Sequence, residues 1–380
     1  MNFHFKEEEQ DVLDMLRDFC EKEVAPKAAE VDENERFPEE TWHALADMGM
    51  MGIAYPEEYG GAGMSYLTYV ACCEELAKHC ATTSVMVSAH SSLCIWPISN
   101  FGTEEQKQKY LPGLCSGEKL GAFGLTEAGA GTDAAMQKTV AEDKGDHWLL
   151  NGSKIFITNA GFASVFVVFA MTDKEAGNHG ISAFIVEKDT PGFSVGTHEK
   201  KMGIRGSSTC ELVFQDCKIP KENLLGQLNK GFKVAMMTLD GGRVGIAAQA
   251  VGIAQGCIDQ TIPYIRDRIQ FGKRISQFQN SQFQLANLQT KTDAARMLLY
   301  RAAQAKQDGE AYSHLAAMAK LFASEVACEV TRECVQLVGG YGYTREYPFE
   351  RMMRDAKITE IYEGTSEVQR MVISGWMGVK

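Results

Sequence analysis

Residues 165–169 are Val165-Phe166-Val167-Val168-Phe169, five β-branched and aromatic residues in succession near the middle of the chain. Such a run indicates a buried strand, because these side chains pack well on a pleated surface. Asn151-Gly152 and Pro191-Gly192 supply turn signals on either side. No helix-length pattern interrupts this region, so residues 120–225 are predicted to form an antiparallel β-barrel or sandwich, not a doubly wound sheet. Further short runs of the same kind lie at 148–150, 154–157, 181–186 and 210–214.

Before and after this β region, the apolar residues recur at helical spacing instead. Before it, Thr103 is followed three residues later by Gln106, which fits a capping box at a helix start. After it, residues 279–306 and 315–338 are long amphipathic stretches with broad apolar faces. The predicted fold is therefore α+β and multidomain. It consists of an N-terminal all-α domain at 1–119, a middle β domain at 120–225 and a C-terminal α-helical bundle domain at 226–380.

Composition excludes several classes of partner. The net charge of -12 argues against nucleic acid, whose binding needs a basic surface. No apolar run approaches the length of a membrane span. The start of the chain has no apolar signal segment and is too acidic for a transit peptide, so a bacterial-type cytoplasm is expected, with a processed organelle form as the alternative. The 11 cysteines show no metal-ligand spacing and are interpreted as reduced core residues, so no metal site is predicted.

Three polar segments could bind a ligand, and each also has a plain structural explanation. Residues 124–133 form a small-residue loop without the third glycine of a dinucleotide fingerprint. It could be a simple turn or a surface that a flat or phosphorylated ligand approaches closely. The strand end at Phe156-Ile157-Thr158 could present a hydroxyl beside an aromatic ring. Arg268 to Lys273 could be a solvated basic turn or a pyrophosphate clamp.

Glu363 is the candidate for a general base. A glutamate near a C-terminus is usually solvated, and the preceding stretch Asp355-Ala356-Lys357 suggests mobility. Its immediate neighbours, Ile361-Tyr362 before it and Gly364 after it, instead indicate a partly buried carboxylate. Burial would raise its pKa, as a general base requires.

Taken together and in order, these segments resemble the acyl-CoA dehydrogenase family over essentially the whole chain, closest to the short-chain, butyryl-CoA type of bacteria. The motifs that carry the resemblance are Thr126-Glu127 to Thr132-Asp133, Phe156 to Asn159, Arg268 to Gly272, Gln336 to Gly342, Met353 to Lys357 and Ile361 to Glu367.

The resemblance implies an FAD-dependent homotetramer that exchanges electrons with electron-transferring flavoprotein. Glu363 would be the catalytic base, and the β-hydrogen would leave as hydride to flavin N5, near Thr158. The cofactor contacts within one subunit would be Phe123, Leu125, Thr126, Thr132, Phe156, Ile157 and Thr158. Contacts to the FAD of a neighbouring subunit would be Arg268, Phe271, Gln279, Gln336, Leu337, Val338, Gly339 and Gly340, with Thr365, Ser366 and Glu367 completing the site. The acyl-CoA substrate would contact Thr132, Asp240, Gly241, Gly242, Arg243 and Gly364.

Two departures from the family pattern are Thr132, where many relatives have Ser, and Ala128, where relatives usually have Pro. Some subfamilies place the base at the position of Gly242, so the presence of Glu363 favours the C-terminal base. The expected reaction is α,β-dehydrogenation of a butyryl-CoA-like substrate to the trans-2-enoyl-CoA.

Three alternatives remain open. The same chemistry could run in reverse as an enoyl-CoA reductase coupled to electron-transferring flavoprotein. The chain could be a non-catalytic flavin-binding electron relay, which the intact Glu363 and Arg243 argue against. An acyl-CoA oxidase is disfavoured by chain length. Trp96 with Ile95 is hypothesised to close the acyl cavity at about four carbons, because overpacking costs rise steeply; plain helix packing is the competing explanation for Trp96.

Overall fold

A computed structural model describes residues 5–379, so the first four residues of the acidic start of the chain lie outside the described part. Helices run as far as Cys115, as the apolar stripes predict. The predicted capping box is confirmed, since Thr103 Oγ1 accepts from the Gln106 N–H at 3.3 Å and Gln106 Oε1 accepts from the Thr103 N–H at 3.0 Å. A wider π-helical segment, Ala89–Ile95, precedes the sixth helix. The helices are α1 (Glu7–Phe19), α2 (Ala28–Glu33), α3 (Glu39–Asp47), α4 (Tyr66–His79), α5 (Ala81–Ser88), α6 (Trp96–Phe101) and α7 (Glu104–Cys115).

The predicted middle β domain is confirmed, and its sheet is mixed. Its strands are β1 (Gly121–Gly124), β2 (Val140–Asp143), β3 (His147–Ile157), β4 (Val165–Met171), β5 (Ile181–Glu187), β6 (Phe193–His198), β7 (Cys210–Pro220) and β8 (Leu224–Leu225). They lie in the order β6-β7-β3-β2-β4-β5-β8, with β1 beside β4. Most pairs are antiparallel, but β1 runs parallel to β4, and β2 meets β4 in parallel at one residue pair. The purely antiparallel expectation is corrected here. Parallel neighbours need a crossover, which the intervening β2–β3 hairpin supplies.

Strand β4 explains the apolar run at 165–169, because both of its faces are buried. Val165, Val167 and Phe169 pack toward the helices on one side. Phe166 and Val168 point into the interior of the sheet on the other side. The middle domain is thus joined to the helical parts through apolar contacts, which position the strand ends relative to the helices.

Long helices dominate the remainder of the chain, as the amphipathic pattern predicts. The helix α8 packs along α10 and α4. One expectation is wrong: Asp355 and Ala356 are buried within α12, and the Asp355 carboxylate accepts from the Ile204 N–H at 2.5 Å. The stretch is held because this helix packs against α10. The elements are α8 (Gly231–Asp267), β9 (Ile269–Gln270), β10 (Lys273–Arg274), α9 (Gln279–Gln307), α10 (Ser313–Val338), α11 (Gly340–Tyr343), α12 (Phe349–Ile358) and α13 (Ser366–Trp376).

Within residues 5–379, no helix combines the length and the apolar character that crossing a membrane would require.

Candidate active site

Glu363 lies in the turn between α12 and α13, where the backbone takes the left-handed conformation. Its φ is 54°, and that of Gly364 is 94°. A non-glycine residue in this region is strained and persists only where its surroundings hold it. Here Lys320 Nζ and Gln369 Nε2 donate to the Gly364 carbonyl at 2.7 and 2.8 Å. The turn is therefore held from α10 and from α13 at once.

The Glu363 carboxylate points at α8. Its Oε2 is closed off from solvent, and among the described residues it has no hydrogen-bond partner. A Cβ built on Gly242 would lie 1.7 Å from this oxygen and 2.9 Å from Leu93 Cδ2. The helix can accept the carboxylate at this point only because residue 242 has no side chain. The sequence expectation of a partly buried carboxylate is confirmed.

Burial raises the pKa of Glu363 to about 7, because a carboxylate loses its hydration there. The positive charges of Lys320 and Arg243 oppose this rise. Burial also lowers the pKa of Lys320 to about 8, with the charge of Glu363 opposing the fall. Near neutral pH the carboxyl group can therefore either accept or hold a proton, which is the property of a general base.

The segment 240–243 on α8 lies beside this carboxylate. Arg243 Nη1 donates to Asp240 Oδ1 at 2.6 Å, and the Ser313 hydroxyl donates to the same oxygen at 2.9 Å. The Arg243 Nε is buried and has no partner among the described residues. Arg243 thus has an unused hydrogen-bond donor close to the Glu363 carboxylate, and a polar group of a ligand can accept from it.

The structure brings the loop at 124–133 beside the end of β3. The Ile155 N–H donates to the Thr126 carbonyl at 2.9 Å. Phe156 has a φ of 58° and is 59% exposed, where the pairing of β3 with β7 shifts register. Thr158 follows at the strand end and is half-buried, whereas Thr132 is exposed. An open aromatic ring beside hydroxyl groups is a surface that a flat, mostly apolar ring with polar edges fits.

The residues at the start of the β domain are placed next to the same loop. Phe123 on β1 is half-buried and Leu125 is buried just beyond the strand. Ile157 is buried at the end of β3. Phe123 and Leu125 pack in the core between the sheet and the helices, whereas Ile157 packs in the core on the other face of the sheet.

A buried ion pair that sequence reasoning missed clamps this loop. Lys154 Nζ donates to Glu127 Oε1 at 2.7 Å, to Gln137 Oε1 at 2.9 Å and to the Leu125 carbonyl at 3.0 Å. Lys154 is completely buried, and burial lowers its pKa to about 8. The sequence did carry a signal for this pair, since Lys154 lies within an apolar strand pattern. A charge that is buried in such a strand must have a partner.

The residues predicted to contact the FAD of a neighbouring subunit lie far in space from Glu363 of the same chain. The Arg268 guanidinium is 5.8 Å from the centre of the Tyr341 ring, so the turn after α8 meets the segment after α10. Arg268 is 26 residues beyond Gly242, about 39 Å along a helix at 1.5 Å per residue. Phe271 in this turn is 94% exposed. The other members of the group are Gln279 at the start of α9, Gln336, Leu337 and Val338 at the end of α10, and Gly339 and Gly340 beyond it.

The residues directly after Glu363 lead into α13. Thr365 precedes the helix, and Ser366 and Glu367 begin it. The Ser366 hydroxyl is buried without a partner among the described residues, whereas Glu367 is exposed. All three directly follow Gly364 in the chain.

Comparison with known proteins gives matches along the chain. Family models match for the acyl-CoA dehydrogenase N-terminal domain at residues 6–118, the middle domain at 122–217 and the C-terminal domain at 229–378. The chain is 56% identical to a short-chain specific acyl-CoA dehydrogenase of Clostridium acetobutylicum, over 99% of both chains.

Solved structures agree with this. Butyryl-CoA dehydrogenase from Megasphaera elsdenii is 52% identical with a TM-score of 0.98, over 99% of this chain and 100% of that one. A chain solved in work on the electron transferring flavoprotein of Acidaminococcus fermentans and flavin-based electron bifurcation is 54% identical, with a TM-score of 0.98 over 99% of both chains. A glutaryl-CoA dehydrogenase from Mycobacterium smegmatis, 32% identical with a TM-score of 0.93 over 99% of this chain and 96% of that one, was solved with FADH2. FAD is the cofactor of these enzymes, and the chain described here belongs to the acyl-CoA dehydrogenase family.

Proposed function

We propose that this enzyme catalyses the α,β-dehydrogenation of a short-chain, butyryl-CoA-like acyl-CoA to the trans-2-enoyl-CoA, with Glu363 as the base. The observation that carries the proposal is the buried Glu363 Oε2, which has no partner among the described residues and faces the gap left by Gly242. An unpartnered buried carboxylate is costly, so a site that retains one has a use for it.

The physical need for such a base follows from the substrate. The α-proton of a thioester is a weak acid, and a carboxylate with a pKa near 7 removes it more readily than one with an ordinary pKa. The Glu363 N–H has no acceptor among residues 5–379. It is therefore free to donate to the thioester carbonyl and to stabilise the negative charge that develops there.

The predicted cofactor residues fit FAD. The ring of Phe156 is open, and the Thr126 loop lies beside the Thr158 strand end, so a flat ring can be covered on one face and bonded at its edge. Bound FAD supplies the acceptor for the β-hydrogen. The residues proposed to hold it in one subunit are Phe123, Leu125, Thr126, Thr132, Phe156, Ile157 and Thr158. Those proposed to line the acyl-CoA are Thr132, Asp240, Gly241, Gly242, Arg243 and Gly364.

We further propose a homotetramer. Arg268 lies about 39 Å along α8 from Gly242, too far for it to share one FAD with Glu363 of the same chain. Its turn also exposes Phe271 almost fully. Both features are explained if this turn contacts the FAD that is bound in a neighbouring copy of the chain. The residues proposed for that contact are Arg268, Phe271, Gln279, Gln336, Leu337, Val338, Gly339 and Gly340. Thr365, Ser366 and Glu367, which lie beside Glu363, are proposed to complete the dinucleotide site.

The assignment of partner and location rests on relatives. We propose electron-transferring flavoprotein as the electron partner, because a chain 54% identical to this one was solved in work on that flavoprotein. We propose a bacterial-type cytoplasm as the location, because bacterial relatives are 52–56% identical over nearly the whole chain. The structure from work on the flavoprotein of Acidaminococcus fermentans also favours a second candidate, the same chemistry run in reverse as an enoyl-CoA reductase. The domain limits proposed are 119/120 and 225/226, which fall between α7 and β1 and between β8 and α8.

The test of the base is Glu363→Gln, which keeps the size of the side chain and removes its basicity. Purified wild-type protein should be bleached by butyryl-CoA under anaerobic conditions, whereas the variant should bind FAD and remain yellow. Glu346→Gln, a change at an exposed carboxylate, is the matched control and should bleach like the wild type. Full bleaching of Glu363→Gln would overturn the assignment, and a wild type that butyryl-CoA never bleaches would favour the electron relay.

A further inference from the structure

A hydrogen-bonded pair holds the residue directly before Glu363. The Tyr362 hydroxyl donates to Gln249 Oε1, and Gln249 Nε2 donates to the Ala81 carbonyl at 2.8 Å. Because a carbonyl can only accept, the contact with Ala81 identifies the nitrogen end of the amide and leaves the oxygen end toward Tyr362. Gln249 is completely buried on α8, and both ends of its amide have a partner.

Gln249 is a polar residue in an apolar part of α8. Its neighbours in the chain, Ala248 and Ala250, are both completely buried. Burial of an amide costs free energy unless its polar ends are hydrogen-bonded. A methionine of similar length and shape would fill the same space without that requirement. A glutamine at this position therefore indicates that the bond to Tyr362 has a use.

The pair and the base meet the same face of α8. Gly242, which the Glu363 carboxylate approaches, precedes Gln249 by seven residues. Seven residues are about two turns, so the two positions lie on nearly the same side of the helix and about 10 Å apart along its axis. Tyr362 and Glu363, which are adjacent in the turn, therefore meet α8 at two separate points. Two contacts with one helix fix the orientation of the turn, whereas a single contact would allow the turn to pivot.

Glu363 needs support of this kind. Its φ of 54° is a strained conformation for a non-glycine residue, and such a conformation persists only where the surroundings hold it. The carbonyl of Gly364, after the base, accepts from two side-chain donors. Tyr362, before the base, is held by Gln249. The strained residue is thus fixed on both sides.

We propose that Gln249 is a positioning residue that acts through Tyr362 to hold the Glu363 carboxylate where it can remove the α-proton. This inference rests on the proposed function. Misplacement of a reacting group by about 1 Å can lower a rate about a hundredfold. Loss of the bond leaves the turn held on one side, so we expect kcat to fall about tenfold. KM for butyryl-CoA should change by less than about threefold, because the pair of Asp240 and Arg243 remains intact.

The test is a double-mutant cycle in which Gln249→Met and Tyr362→Phe are made singly and together. Each single change leaves the other polar group without its partner and should destabilise the fold. The double change removes both polar groups, and the Ala81 carbonyl keeps its donor within α5, so stability should largely return. The free energy of unfolding and kcat for butyryl-CoA are measured on the FAD-loaded proteins. We expect kcat of the double variant to stay about tenfold low.

The control is Gln108→Met, at an exposed glutamine of α7, and it should change neither quantity. A role in stability alone predicts that kcat recovers together with the free energy of unfolding in the double variant, and this outcome would overturn the proposal. A kcat within about twofold of the wild type in all three variants would overturn it as well.

If the methionine variants do not fold, Tyr362→Phe alone is decided by the same limit on kcat. A wild type without butyryl-CoA turnover would refute the proposed function. Turnover in the wild type together with an unchanged kcat in the variants would refute only the role of Gln249.

Discussion

Lys320 offers the sharpest test of how the site adjusts its base. It is completely buried on α10, donates to the Gly364 carbonyl at 2.7 Å, and its charge lowers the pKa of Glu363 against the effect of burial. Replacement of Lys320 by Met removes that charge. The Gly364 carbonyl keeps a donor, because Gln369 Nε2 also reaches it at 2.8 Å. The turn that carries Glu363 should therefore survive the substitution.

The expected effect has a definite sign. Glu363 must be deprotonated to accept the α-proton, so kcat/KM should rise with pH through its pKa of about 7 in the wild type. An opposite charge nearby typically lowers a carboxyl pKa by about 1–3. With a rise of about 1 in Lys320→Met, the deprotonated fraction at pH 7 falls from about one half to about one tenth. The variant should be about fivefold slower at pH 7 and approach the wild type at pH 9.

The measurement is a pH profile of kcat/KM for butyryl-CoA, because this ratio reports ionisations of the free enzyme. The control is Lys291→Met, at a partly exposed lysine of α9 that pairs with Glu329 at 2.7 Å, and it should keep the wild-type midpoint. If Lys320→Met lowers the rate equally at every pH, the lysine acts only through structure. A midpoint that stays in place or moves to lower pH would refute the electrostatic argument.

Two further substitutions test the supporting structure. Gly242→Ala would place a Cβ 1.7 Å from Glu363 Oε2, so we expect at least about a hundredfold loss of kcat/KM with FAD retained. The control is Gly375→Ala, because nothing lies within 4 Å of a Cβ at that position. Near-normal activity of Gly242→Ala would contradict the geometry. Lys154→Met removes the cation that pairs with the buried Glu127 carboxylate, which keeps only the N–H donors of Lys138 and Thr139. This change should cost about 3–5 kcal/mol in chemical denaturation. Adding Glu127→Gln should recover part of that loss, and a single variant as stable as the wild type would show that the pair contributes little.

Local patterns were sufficient for much of the fold. The helical stripes, the capping box at Thr103 and the apolar run at 165–169 each depend on residues close together in sequence, and all three are confirmed. The parallel pairing of β1 with β4 was not predictable, because its partners are 44 residues apart and no local signal marks the register. The burial of Asp355 was missed for the same reason, since its partner is the backbone of Ile204.

The candidate site shows the same division. The sequence brought Glu363, Phe156 and Arg268 to notice as single residues. It did not reveal the role of Lys154, because a lysine in the sequence does not indicate whether its nitrogen is solvated. Only packing decides that, and packing depends on helices and strands that are distant in the chain.

What the sequence alone determined is the order helical, β, helical, the family, and the presence of a carboxylate at 363. Tertiary structure decided the chemical state of that carboxylate. Its Oε2 is buried against Gly242, 121 residues earlier in the chain, and its pKa rises to about 7 because that contact removes water. Helix period and strand composition are local properties, whereas desolvation is a property of every element that surrounds an atom.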